Sequence, residues 1–358
     1  MPTATNTSAT LFPAPRILRL GFLALSDAAP LVVAQEMGFF RRHGVRTALS
    51  REVGYATIRD KLIHHELDAV HAHGAMVLGT TLGLNCAATP CVTAFVMSTN
   101  GNAITLSREL WDFGVRDAAS LRAEIAGSRR ERDYVFGVVF AHSSHHILLC
   151  DWLASAGVNP RKDVRIVVVP PPQLFRNLAA HTIDGYCVGD PWNSLAVHEQ
   201  KGWCPATSLD LAPGHPEKVL MVRADFAEHR SGEHLALVAA LAEAAALCDD
   251  PAYRQELAHL LARPEYLNVP EPVIASSLAS PFEDGRGGKI APTDFIQFHR
   301  NGANDPTAAK AAWLIDGLVR HQIIPPTVEI PRNLASATFR SDLYHVACSQ
   351  ARLPAAVG

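Results

Sequence analysis

Three histidines stand first among the residues whose spacing suggests chemistry. His142, His145 and His146 in "AHSSHHILLC" fall at i, i+3 and i+4, which sets their rings on one face of a helix, where imidazole ligates transition metals. His71 and His73 in "DAVHAH" follow a neighbouring strand and would complete such a set. No cysteine or glutamate accompanies them in a recognised pattern, so neither a metal nor a cofactor is expected. Ser143, Ser144 and His145 open the same helix, and the N–H groups and dipole of a helix start favour an anion. A second stretch, "GYCVGDPWNS" at 185–194, ends an apolar strand on Gly189 and follows it with an acid, a proline and a tryptophan. Pro191 lacks an N–H and biases Asp190 toward extended geometry, so the strand stops at a loop rich in hydrogen-bonding groups. Catalysis is not indicated: the chain holds no G-x-S-x-G, no P-loop and no G-x-G-x-x-G after a strand.

The elements that must position these residues come from the whole chain. Its 358 residues exceed what one core usually organises, so two lobes are expected. A hydrophobic share of 48% with 19% charged residues describes a globular chain, and a net charge of −3 gives no electrostatic case for nucleic acid or a membrane surface. Apolar runs such as "LVVA" are far too short to span a bilayer. Residues 1–15 are polar and Pro/Thr-rich, which reads as a disordered lead-in without an export signal. The seven cysteines are scattered with no C-x-x-C pair, which suits reduced core residues and a cytoplasmic location.

Strands at 17–22, 67–71, 134–140 and 183–188 alternate with helices at 55–65 and 143–158, so the fold class is α/β with largely parallel sheets. Ser26 or Asp27 is placed as a helix N-cap. "HELDAVHA" (65–72) and "HTIDGYCV" (181–188) both run His, spacer, aliphatic, Asp, small residue and short apolar strand, which predicts two similar lobes. Ligands of open α/β sheets sit beyond the C-terminal strand ends, so the loops after 22, 71, 140 and 188 face one cleft. From about 219 onward the chain becomes helix-dominated, with a Gly-rich loop at "FEDGRGGKIAPTDF".

"LALSDAAPLVVAQEMGFFRRHGV", "NGNAITLS", "HHILLCDWLASAGVNPRKDVRIVVVPPPQ", "DGYCVGDPWNS" and "HPEKVLMVRADF" together resemble the nitrate- and bicarbonate-binding branch of the periplasmic-binding-protein superfamily, over roughly residues 16–345. The resemblance implies a two-lobed type II periplasmic-binding-protein fold, with a ligand cleft between lobes and a helical C-terminal part. Lobe 1 then takes 16–100, lobe 2 takes 101–217, and 218–358 returns to lobe 1. It also implies a ligand set: Tyr55 as a ring wall, Asn102 as an amide, His145 as an imidazole, Pro171, Val188 and Gly189 as a floor, and Lys218 as the positive charge. Asp190 and Trp192 stand behind them, Asp190 orienting Lys218 or His145. Tyr55, Asn102 and Asp190 depart from the branch's usual Trp, Gln and Glu.

Such a set suits a flat anion that only accepts hydrogen bonds, because it supplies N–H donors and an ammonium. On composition alone, Lys218 in "HPEK" would be a solvated surface lysine. The absent leader favours the branch's cytoplasmic nitrate/nitrite sensors of the NasS kind, whose implied partner is a NasT-like RNA-binding antiterminator. The alternative is an extracytoplasmic solute-binding protein of a nitrate, nitrite or bicarbonate ABC importer. Bicarbonate's O–H would need an acceptor, for which Asp190 is the candidate.

Overall fold

The protein, a computed structural model, is described over residues 16–128, 132–279, 281–291 and 295–351. The lead-in expected at 1–15 lies outside these residues. Two sheets carry the fold. The first takes β1 (Ile17–Phe22), β2 (Arg46–Arg51), β3 (Ala69–His73), β4 (Cys91–Asn100), β10 (Pro216–Arg223) and β13 (Ile296–Gln297) in the order β13-β4-β10-β3-β1-β2. The second takes β5 (Asn102–Ser107), β6 (Val135–Val138), β7 (Arg165–Val168), β8 (Gly185–Gly189) and β9 (Gly202–Thr207) in the order β7-β6-β8-β5-β9. The "FEDGRGG" segment contributes a two-stranded ribbon, β11 (Phe282–Glu283) with β12 (Lys289–Ala291), where a loop alone was expected.

Each sheet is mixed rather than largely parallel. β1 runs parallel to β2 and β3, as β6 does to β7 and β8. β10 enters antiparallel to β3 and β4, as β5 does to β8 and β9. The reason is connectivity: these strands arrive by crossing between sheets, not by a helical crossover, which is what enforces parallel pairing. The chain crosses first at Asn100-Gly101, with φ of 62° and 84°, and returns between β9 and β10. Glycine is required at the crossing by more than its φ, since a Cβ on Gly101 would lie 2.8 Å from Ile296 Cγ1. Pro216 and Glu217, set at the end of the second lobe in the sequence reading, belong to β10 of the first sheet, where Pro216 pairs with Thr99.

The repeated His-x-x-Asp pattern has a physical counterpart. Asp68 Oδ2 accepts the Arg19 N–H of β1 at 2.8 Å, and Asp184 Oδ2 accepts the Val135 N–H of β6 at 2.7 Å. Each aspartate's own N–H donates back to that same residue's carbonyl, and an arginine, Arg16 or Arg132, holds the other carboxylate oxygen. The two lobes thus register their central strands by one device. Helix Ser231–Cys248 is long and apolar enough to match a membrane span, contrary to the expectation that no run reaches that length. It packs against β4 and helices Ala29–Glu36 and Ser341–Gln350, with Leu237, Val238, Leu241 and Ala245 buried, as a core helix does.

Asp68→Ala and Asp184→Ala are expected to lower stability by about 1–3 kcal/mol each, because each strands a backbone donor. Urea unfolding of the double variant should give nearly the sum, since the sites share no partner.

Candidate functional site

Where the sheets face each other, buried polar side chains from both lobes meet around one carboxylate. Glu217 on β10 is fully buried. Its Oε1 contacts the Lys218 ammonium and lies 2.7 Å from His145 Nε2 and 3.6 Å from His73 Nδ1. Its Oε2 accepts from Asn102 Nδ2 at 2.8 Å and from Ser144 Oγ, with His215 Nε2 at 3.5 Å. Lys218 Nζ also donates to Asp27 Oδ2 at 2.9 Å, and Asp27 Oδ1 lies 2.9 Å from His71 Nε2. Asn102 Oδ1 faces His145 Nε2 at 3.1 Å. The rings of Tyr55 and His73 are 4.4 Å apart, those of His73 and His145 4.5 Å, and Lys218 Nζ sits 5.9 Å from the Tyr55 ring.

Neighbouring residues on a strand ordinarily point to opposite faces, so Glu217 and Lys218 should not share a site. They do because the β10–β4 register shifts between Pro216 and Lys218 and again after Lys218, a bulge that re-aims both side chains. Lys218 pairs with His73 across β3, which brings the ammonium beside the imidazole. Ser143 caps helix Ser144–Ser155 by accepting the His146 N–H, so Ser144 and His145 present the helix start to Glu217, the end that favours negative charge. Gly189 pairs with Asn102, and a Cβ there would meet Asp27 Oδ2 at 3.2 Å and Asn102 Oδ1 at 3.3 Å. Glycine at 189 therefore lets Asp27 and Asn102 approach.

The charges settle one another. Burial alone would raise the Glu217 carboxyl, but Lys218 and His145 outweigh it and hold it well below the carboxylate range. Burial likewise opposes the charge of Asp27, and Lys218 with His71 brings its pKa down. Burial would lower Lys218, yet Asp27 and Glu217 raise it. Burial pushes the pKa values of His71, His73 and His145 below their ordinary value.

Tyr55, Asn102, His145, Gly189 and Lys218 are thus brought to one place. Val188 lies buried beside it on β8 and gives its carbonyl to Asn193 Nδ2 at 2.8 Å. Pro171 is buried in the first turn of helix Pro171–Ala179, between Pro170 and Pro172. Those two prolines line a cavity of about 490 Å³ with Arg51, Trp192 and Asn268; none of its lining residues belongs to the polar cluster.

Three expectations are corrected. Lys218 is not a free positive charge, because two carboxylates hold it. Asp190 does not touch Lys218 or His145 among its hydrogen bonds; its oxygens accept from Asn193 Nδ2 (3.0 Å) and from Ser194 N–H and Oγ (3.3 and 2.9 Å), which fastens the start of helix Trp192–His198. These contacts turn its carboxylate to its own loop and helix, away from Lys218 and His145. Neither Ser26 nor Asp27 is an N-cap, since both lie in a 3₁₀ turn and Asp27 points at Lys218.

The histidine triplet also divides. His145 joins the cluster, whereas His146 Nδ1 bonds Ala141 O at 2.9 Å and His142 packs on Phe140. The residues missed are His215 and Glu217; Asp27 enters the sequence reading only as a cap and Ser144 only as part of the helix start. Ser144, His73 and Glu217 have the composition of a nucleophile, base and acid. Ser144 Oγ and Glu217 nevertheless approach the same ring nitrogen, Nδ1, and the serine donates to the carboxylate itself, so the base is not oriented for attack.

Residues 13–262 match the NMT1-like family. The chain belongs to the NMT1-like family. It is 39% identical over 337 residues to the nitrate import ATP-binding protein NrtC of Synechocystis sp., covering 92% of this chain and 50% of that protein. Against the bicarbonate transport ATP-binding protein CmpC of Synechococcus elongatus it is 36% identical over 318 residues, 88% of this chain and 46% of the relative. The chain therefore spans about half the length of these relatives. The crystal structure of the periplasmic nitrate-binding protein NrtA from Synechocystis PCC 6803 superposes with a TM-score of 0.87 at 26% identity, covering 94% of this chain and 89% of that one. The two-lobed periplasmic-binding-protein fold of this NMT1-like chain is thereby shared with a nitrate binder.

Lys218→Met leaves Asp27 and Glu217 buried without their cation and should cost about 3–5 kcal/mol at pH 7. Both carboxylates have depressed folded-state pKa values, so their contribution is present above the ordinary carboxylate range, about 4, and lost as pH falls through the depressed values. The deficit of the variant should accordingly persist from pH 7 down to about pH 4 and shrink as the pH falls below it in urea titrations. A deficit independent of pH would count against the pairing.

Proposed function

We propose that this chain is the solute-binding module of an importer for a small planar oxyanion: nitrate or nitrite, with bicarbonate as the related choice. The observation that carries this reading is the convergence of unsatisfied hydrogen-bonding atoms on the interlobe cluster. Tyr55 Oη, His73 Nε2, His145 Nδ1, His71 Nδ1, and Ser26 and Ser98 Oγ are buried without a hydrogen-bond partner. Native interiors rarely leave such groups unpaired, and a concentration of them between two lobes fits a polar guest. Imidazoles, a phenol and hydroxyls supply the donors an anion accepts from.

The importer reading rests on the relatives. NrtC and CmpC are named as import and transport ATP-binding proteins, and NrtA as periplasmic and nitrate-binding. This chain has no P-loop and has the fold of the nitrate binder, so the half of NrtC it resembles reads as a ligand-binding half. A NasT-like antiterminator partner draws no comparable support from these proteins. Its closing motion would work by differential affinity, the anion stabilising the state in which both lobes contact it.

Thermal unfolding with nitrate, nitrite, bicarbonate and chloride at matched ionic strength tests the reading. A specific ligand at about 100 times its Kd should add roughly 2.7 kcal/mol, and chloride should add nothing. Equal responses to all four salts would remove the specific site.

A further inference from the structure

The cluster has a charge problem as an anion site. Two buried carboxylates, Asp27 and Glu217, share the single ammonium of Lys218, so the cluster holds one more acid than it holds lysine or arginine. A monovalent oxyanion entering beside it meets repulsion in a buried, weakly screened setting.

We propose that His73, His145 and Glu217 bind one divalent transition-metal ion of the zinc type, and that an oxygen of the anion takes its fourth coordination place. The three donors come from β3, helix Ser144–Ser155 and β10, hence from both lobes, and their ligand atoms all lie within 4.8 Å of one another, fully buried. Tetrahedral zinc with bonds of about 2.0–2.1 Å spaces its ligands by about 3.4 Å. His73 Nδ1 and Glu217 Oε1 stand 3.6 Å apart already, and the 2.7 Å between His145 Nε2 and Oε1 opens by under 1 Å on binding. A second observation is independent of these distances: the far nitrogens, His73 Nε2 and His145 Nδ1, are buried and unpartnered, so neither ring is committed to another protein group on that side.

The surroundings fit the same role. Asn102 and Ser144 hold Oε2 of Glu217, which orients the carboxylate and leaves Oε1 for the ion, as outer partners do in metal sites. Lys218, displaced from Oε1, keeps Asp27 at 2.9 Å. Two imidazoles with one carboxylate favour zinc, cobalt, nickel or copper over calcium and magnesium, which take oxygen ligands. A divalent ion reverses the sign of the site, and the bound anion then brings the Glu217–metal unit to neutrality. The metal site stands on geometry; its bridge to the anion rests on the proposed function.

The test uses the full chain, dialysed against EDTA and then freed of chelator, with Co²⁺ as the probe. One equivalent should bind with the intense visible absorption of four-coordinate cobalt. Zn²⁺ should displace it, whereas Ca²⁺ and Mg²⁺ should not. His73→Ala and Glu217→Gln should each weaken binding more than about 100-fold, beyond what loss of an outer partner gives. Should a variant fail to fold by circular dichroism, the wild-type spectrum still decides. Adding nitrate or bicarbonate should shift the absorption bands. Weak cobalt binding with a six-coordinate spectrum in the wild type would overturn the metal site, and anion-dependent melting in EDTA would show the oxyanion reading surviving it. Tight four-coordinate cobalt whose bands no anion alters would overturn the bridge and, with flat melting curves, the oxyanion reading instead.

Discussion

A fully buried glutamate that takes partners from both lobes is the constraint on which this molecule turns. Glu217 belongs to the first sheet, yet its carboxylate is satisfied by Asn102, Ser144 and His145 of the second lobe as well as by Lys218 beside it. An unpaired charge in that position would cost several kcal/mol, so the arrangement holds only while the lobes stay together around it. Cleft geometry, helix start and strand bulge are all consequences of bringing donors to that one carboxylate.

The loop "GDPWN" belongs to the same closure, though not as a ligand wall. Asp190 O accepts the Ser26 N–H at 2.7 Å and Trp192 Nε1 donates to Ala24 O at 2.9 Å, so the second lobe grips the turn that carries Asp27. Asp27 then holds Lys218 together with Glu217. The acid at 190 therefore acts on the cluster through backbone and helix start, with its own carboxylate bonded to Asn193 and Ser194.

Much of the fold was legible in the sequence because it rests on local patterns. The paired Asp68 and Asp184 segments announced two similar lobes, and the same backbone contacts prove to underlie both. His145 and Gly189 were legible as a helix start and a close approach. Lys218 was not legible by composition; only the resemblance marked it, and its complete burial is a tertiary fact. Glu217 was hidden by a rule that ordinarily holds, strand alternation, which the bulge at 216–219 breaks. Asp27 looked like a cap because caps and site acids share residue types and both follow strands. The histidine triplet looked like one site because helical spacing shows which side chains share a face, not which strands will pack on that face.

The most direct test of the central claim is a double-mutant cycle across the cleft, with Glu217→Gln and His145→Asn measured singly and together by urea unfolding. Contact within one buried network predicts a coupling in the upper part of the 0.5–3 kcal/mol range seen for interacting residues. Effects that simply add, to within about 0.5 kcal/mol, would contradict the account.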